Sequence, residues 1–222
     1  MNETSRLNGT GDSNIPRSVA TEGAATRRGR FAVGAATRAV EGDDCCGDVC
    51  AWWEREGRLY LCLADGLGHG SFAREAALAA VTSARDHPLA ELPAVLAQCD
   101  LDIRATRGAA MGIAVIEPAV RTVRFCGVGN IRALLLGQAQ RRFNCGYGIV
   151  GAGFRNLIVE TASFAVGDTL IMASDGIVEH FAAPDERPPG PSWNAPRLAE
   201  AILERWAVAT DDVAVLVCRM LS

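Results

Sequence analysis

The stretch Leu59-Tyr60-Leu61-Cys62-Leu63-Ala64-Asp65-Gly66-Leu67-Gly68-His69-Gly70 decides how this chain is read. It opens on an unbroken apolar run, the pattern of a strand buried on both faces. A carboxylate then stands at the strand's end, beside three glycines that let the backbone come close to whatever binds there. A helical pattern follows, from Phe72 through Ala84. The arrangement recurs later as Leu170-Ile171-Met172-Ala173-Ser174-Asp175-Gly176. Two strand-end Asp-Gly pairs suggest one carboxylate site for hard cations.

Outward from these segments, the pattern predicts strands over 31–37, 49–55 and 58–64, the last two forming a hairpin. Helices are expected over 71–85 and 89–105, the second with Leu89, Leu92, Leu96 and Leu101 as its apolar positions. Strands follow over 109–117 and 121–128, joined by a turn around Glu117-Pro118, and over 131–136. The glycine-rich Cys145–Gly153 stretch reads as a loop. Next come strands over 157–164 and 168–174 and a short helix from Gly176 to Phe181. Residues 184–196 hold five of the nine prolines, which makes them a surface connection. A helix over 195–207 and a strand over 213–220 complete the pattern. Runs of antiparallel-type strands separated by a pair of helices predict an α+β fold, a β-sandwich of two antiparallel sheets flanked by helices.

The 222 residues suit one large domain. Residues 1–29 are rich in Gly, Ser, Thr, Asn and Arg without an apolar period and read as a flexible arm; residues 30–222 form the domain. A net charge of -4 argues against nucleic-acid binding. No membrane span and no signal peptide is visible, so the expected location is cytoplasmic. Asn2-Glu3-Thr4 and Asn8-Gly9-Thr10 then match the glycosylation pattern by chance. The eight cysteines contain no paired C-x-x-C elements and read as buried free thiols. All 22 basic residues are arginine, read first as coding bias, although arginine suits phosphate.

Four acidic positions stand at strand ends. Asp48 precedes Val49–Trp53, Asp65 ends the next strand, Asp175 ends a later one, and Asp211-Asp212 opens the last. Alone, an Asp-Gly is most often a turn and an Asp-Asp pair a strand entry. If the strands are neighbours, the carboxylates converge on one edge, and like charges so gathered need divalent cations to neutralise them.

In this order the motifs resemble those of the metal-dependent protein serine/threonine phosphatases, the PPM superfamily, and within it the bacterial SpoIIE/RsbX-type branch. The resemblance rests on Gly47-Asp48, Ala64-Asp65-Gly66-Leu67-Gly68-His69-Gly70, Gly127-Val128-Gly129-Asn130, Ser174-Asp175-Gly176 and Asp211-Asp212, with a weaker match at Gly148-Ile149-Val150-Gly151. It implies two Mn²⁺ or Mg²⁺ ions at one edge of the sandwich. Asp48 and Asp65 bridge or flank the metals with the Gly66 carbonyl as a further ligand, and Asp175 and Asp211 hold the second ion. Asp212 is a further candidate ligand, through water. The implied reaction is attack of metal-activated water on a phosphoserine or phosphothreonine, without a phosphoenzyme.

Two departures from the wider superfamily are visible. Many eukaryotic relatives carry a proposed proton-donating histidine directly after the first Asp-Gly; here Leu67 holds that place and His69 follows two residues later. His69 is thus a candidate general acid, with a helix-entry residue as the alternative. Those relatives also carry Gly-Asp-Ser-Arg where this chain has Gly129-Asn130-Ile131-Arg132, which removes a carboxylate a third metal would use. His87 and His180 read as structural or exposed, and Arg38 and Arg132 are candidates for substrate phosphate by their nearness to motifs.

The resemblance further implies a phosphorylated regulatory protein as partner, of the STAS-domain type that controls sigma factors or stress signalling. It favours the short RsbX type over sensor-linked relatives. The competing readings are a catalytically weak pseudophosphatase acting as a binding module and a small-molecule phosphomonoesterase.

Overall fold

A computed structural model describes the backbone of residues 19–20 and 25–28, and residues 30–87, 91–181 and 194–221 in full. The strands begin with β1 (Val19–Ala20), β2 (Ala25–Arg28), β3 (Phe31–Arg38), β4 (Asp48–Arg55) and β5 (Arg58–Gly66). Helices α1 (Gly70–Asp86) and α2 (Leu92–Asp102) precede β6 (Ala109–Glu117), β7 (Thr122–Val128), β8 (Arg132–Leu136) and β9 (Gln140–Phe143). Then come β10 (Tyr147–Ile149), β11 (Gly153–Arg155), β12 (Glu160–Ser163), β13 (Thr169–Ala173), helix α3 (Ala195–Trp206) and β14 (Val213–Met220).

Two six-stranded sheets form the sandwich, in the orders β1-β4-β5-β6-β7-β12 and β2-β3-β14-β13-β8-β9. Every named pairing is antiparallel. The alternation of side chains along each strand explains the layers. Leu59, Leu61 and Leu63 of β5 join Leu170 and Met172 of β13 and Ala214 and Leu216 of β14 between the sheets. Cys62 and Ala64, on the opposite face of β5, pack instead with Ala77, Ala80 and Val81 of α1 and Leu96 of α2. On the far side, Ile171, Val213, Val215 and Val217 meet Ala199 and Ile202 of α3. Central strands are thus buried on both faces, which is why their sequences run apolar without interruption.

The predicted strands and the helices over 71–85 and 195–207 are present within a few residues. Four expectations need correction. The segment 176–181 is a series of turns, because its polar groups find tertiary partners: Arg132 donates to the carbonyls of Ser174 and Ile177, and Val178 N–H donates to Trp206 O at 3.0 Å. The expected loop at 145–153 contains the hairpin strand β10, paired with β11 through Gly148 opposite Phe154. Helix α2 is shorter than 89–105, and Leu101 is 53% exposed, on the far side of the helix from buried Leu96. Leu89 and most of 184–196 lie outside the described residues. Finally, β1 and β2 pair with β4 and β3, so parts of the segment read as an arm run beside the sheets. The rest of residues 1–29 lies outside the described residues. All eight cysteines are unpaired; six are buried, whereas Cys45 and Cys145, also read as buried, are half-buried.

Candidate metal centre

Asp48 and Asp65 are register partners across β4 and β5. Asp48 shares a strand face with Cys50 and Trp52, and Asp65 with Leu61 and Leu63, all of which line the space between the sheets. Alternation therefore directs both carboxylates into the sandwich at one edge. The opposite sheet brings Asp175 from the end of β13 and Asp211 from the entry of β14, where Ser174 N–H donates to Ala214 O at 3.0 Å. Asp65, Asp175, Asp211, Asn130, His69, Leu67 and Ile149 line a cleft of about 250 Å³.

Electrostatics bind these groups into one site. Burial pushes the Asp48 carboxyl well above the usual carboxylate range, and the charges of Asp212, Asp211 and Asp175 add to it; a hydrogen bond from Ser174 acts in the opposite direction. Burial raises Asp65 as well, followed by the charges of Asp48 and Asp175 and a hydrogen bond shared with Asp175. Asp211 is raised by burial first and by Asp175 next. A protein edge that holds four carboxylates against their own repulsion is arranged for a positive charge.

One atom tests whether a metal fits. Asp48 is 2% exposed, and its Oδ2 is buried without a hydrogen-bond partner. An orphaned buried carboxylate oxygen is costly unless something positive meets it. The donors are all oxygen, which suits Mg²⁺ or Mn²⁺ over zinc. Among the described residues no three His, Cys, Asp or Glu side chains lie together closely enough to hold one ion.

The neighbouring residues divide by role. Asp212, read as a further candidate ligand, is turned elsewhere: its Oδ1 accepts from Val40 N–H at 2.8 Å and its Oδ2 from Gly47 N–H at 2.7 Å. It pins both ends of the loop that leads into Asp48. Asn130 donates to Asp175 Oδ2 at 2.5 Å, so it orients that carboxylate. Gly66 lies under helix α1 so closely that a Cβ there would sit 1.9 Å from Ala73 O, which fixes the helix against the strand end. Arg132 is engaged with the Ser174 and Ile177 carbonyls, and Arg38 donates to Val208 O at 2.6 Å. Both candidate phosphate arginines are therefore structural.

Sequence reasoning missed two residues. Arg107 lies over the exposed ring of Phe72, 5.1 Å from its centroid, with Nη1 beside the cleft residue Gly68. Asp43 accepts a hydrogen bond from His69 Nδ1 at 2.6 Å. Nothing in Glu41-Gly42-Asp43-Asp44 distinguishes it from a solvated loop; the signal was Gly70, where a Cβ would come within 3.2 Å of Asp43 Oδ2. His87 contacts Ser83 O and Asp102, away from the site, and His180 is exposed. Burial pushes the Cys46 thiol up to about 12, which removes it as a nucleophile.

The family model for Stage II sporulation protein E (SpoIIE) matches residues 55–221. The chain belongs to the SpoIIE family. It is therefore a PPM-type serine/threonine phosphatase. The phosphoserine phosphatase RsbX of Bacillus subtilis (strain 168) is 27% identical over 142 residues, covering 62% of this chain and 70% of RsbX. Among solved structures, a chain described under "The bacterial stressosome: a modular system that has been adapted to control secondary messenger signaling" superposes with a TM-score of 0.80. It is 32% identical, and the match covers 86% of this chain and all of that one. RsbX in complex with magnesium gives a TM-score of 0.74 at 21% identity, over 89% and 98% of the two chains. The latter supports the fold alone. Among the described residues no helix is long and apolar enough to cross a membrane.

Proposed function

We propose that this phosphatase removes phosphate from phosphoserine or phosphothreonine on a cytoplasmic regulatory protein of stress signalling, of the STAS-domain type, using two Mn²⁺ or Mg²⁺ ions. The observation that carries the metal reading is the orphaned Asp48 Oδ2 among carboxylates that raise one another. The similarity to RsbX and to a stressosome chain supports the class of partner.

Asp48, Asp65 and the Gly66 carbonyl would hold one ion, and Asp175 and Asp211 the other. Bound divalent cations would supply Lewis-acid stabilisation of the phosphoryl oxygens and a water acidic enough to react near neutral pH. The chain's own residues do the rest. Asn130 keeps Asp175 oriented, and the inter-sheet core keeps bulk water behind the carboxylates away. Arg107 is the cation we assign to substrate: it has no carboxylate or carbonyl partner among the described residues, whereas Arg38, Arg74 and Arg132 are committed to backbone carbonyls. Its guanidinium suits a phosphoryl dianion or an acidic side chain beside one.

The test is phosphate release from a phosphorylated STAS-domain protein by the full chain, with Mg²⁺, with Mn²⁺, with Zn²⁺ and after chelation by EDTA. Activity with the first two, little with zinc and none after chelation is expected. Turnover that survives exhaustive chelation would overturn the metal reading, and turnover of small phosphomonoesters alone would overturn the protein substrate.

A further inference from the structure

His69 stands at the N-cap of α1, yet its side chain makes no capping hydrogen bond. A helix-entry role therefore leaves the imidazole unexplained. Its ring instead meets Asp43 Oδ2 at 2.6 Å, while the side chain remains 66% exposed and lines the carboxylate cleft. The loop that delivers Asp43 is anchored at both ends by one buried carboxylate, since Asp212 takes the N–H groups of Val40 and Gly47. On the other side, Gly70 adopts φ +73 and leaves no Cβ to bar Asp43 from the ring. Three separate features thus converge on one contact.

We propose that Asp43 is a positioning residue that fixes His69 as the proton donor to the leaving serine or threonine oxygen, a role that rests on the phosphatase reading above. A carboxylate that accepts the Nδ1–H sets the ring's orientation and leaves Nε2 for the cleft. As water's oxygen bonds to phosphorus, the P–O bond to the side chain breaks and its electron pair passes to the leaving oxygen. That oxygen takes the Nε2 proton and departs as the alcohol. The imidazole, still holding Nδ1–H against Asp43, recovers a proton from solvent to replace the one given up, matching the proton the attacking water loses. No phosphoenzyme forms, and the products are the free hydroxyl and inorganic phosphate.

The experiment compares Asp43→Asn, His69→Ala and the double variant on a phosphoserine peptide and on p-nitrophenyl phosphate, with Mg²⁺. The aryl leaving group is a weak base and needs little protonation. Expected is a fall in kcat on phosphoserine of about 10²- to 10⁴-fold for His69→Ala and about 10- to 100-fold for Asp43→Asn. Losses on p-nitrophenyl phosphate should be small, and the double variant should be no worse than His69→Ala. Equal losses on both substrates, or losses that multiply in the double variant, would overturn the proposal. Imidazole nitrogen NMR gives a readout independent of turnover: neutral His69 carries its proton on Nδ1 in the unaltered chain and loses that preference in Asp43→Ala. Protonation on Nε2 would sink the pairing. A chain inactive on both substrates would instead sink the phosphatase reading, with the NMR result still deciding the pair.

Discussion

Asp48 and Asp65 face each other directly across two paired strands, both turned into the space between the sheets. Like charges opposite one another on a sheet are destabilising, by about 1 kcal/mol even where water reaches them. Replacing Asp65 by Asn should therefore raise the melting temperature of the metal-free protein by about 2–4 °C while abolishing turnover. Differential scanning fluorimetry in EDTA beside a phosphate-release assay checks both halves. A destabilised metal-free variant would mean that Asp65 packs rather than waits for a cation.

The pH dependence of the metal-free protein follows from the same carboxylates. Burial and like charges raise Asp65 and Asp48 above the range they have in the unfolded chain, and a hydrogen bond with Asp175 adds to the rise at Asp65. The folded state then binds more protons than the unfolded one, so stability falls as pH rises. The loss begins above about pH 4, where unfolded carboxylates ionise. In EDTA the melting temperature should drop from about pH 5 to about pH 8, and saturating Mg²⁺ should flatten that slope by favouring the ionised forms. Parallel slopes with and without Mg²⁺ would contradict the assignment.

Adjacent aspartates should behave as opposites. Asp212→Ala strands the Val40 and Gly47 N–H groups that its two oxygens satisfy, at a cost of about 3 kcal/mol. Asp211 carries one local hydrogen bond, to the Asp212 N–H at 2.9 Å, and faces the cleft. Asp211→Ala should leave the denaturation midpoint within about 0.5 kcal/mol and remove Mg²⁺-dependent turnover. Urea titrations of the two variants decide this; equal destabilisation would erase the distinction.

Arg107→Ala should raise KM for the phosphoprotein with kcat little changed, the signature of lost uniform binding. Arg107→Lys should recover only part, because an ammonium lacks the planar fork. The stacked Phe72 ring is 62% exposed, so its loss of a partner should cost little stability. A fall in kcat at constant KM would place Arg107 in the chemical step instead.

Much of the architecture was legible because burial on both faces writes itself into sequence. Strands β5, β6, β13 and β14 are near-continuous apolar runs, and the ends of β5, β13 and β14 carry or adjoin the aspartates that line the cleft. Segment 176–181 was misread because a helical pattern says nothing of a competing guanidinium: Arg132, far along the chain, takes the carbonyls a helix would use. Leu101 was misplaced for a related reason, since apolar residues spaced five apart fall on different sides of a helix and only packing shows which side is covered.

The sequence by itself determined the two sheets, the strand-end carboxylates and the family, because each is a local pattern of hydrophobicity or a motif contiguous in the chain. Only the tertiary structure decided which of Asp211 and Asp212 faces the cleft, which arginines are already engaged, and that Asp43 holds His69. Those distinctions depend on hydrogen bonds between residues far apart in sequence: Asp43 and His69 lie 26 positions apart, Val40 and Asp212 172. A hydrogen bond needs its two atoms within about 3 Å and suitably aligned, and no local pattern of residue types encodes that for segments so remote.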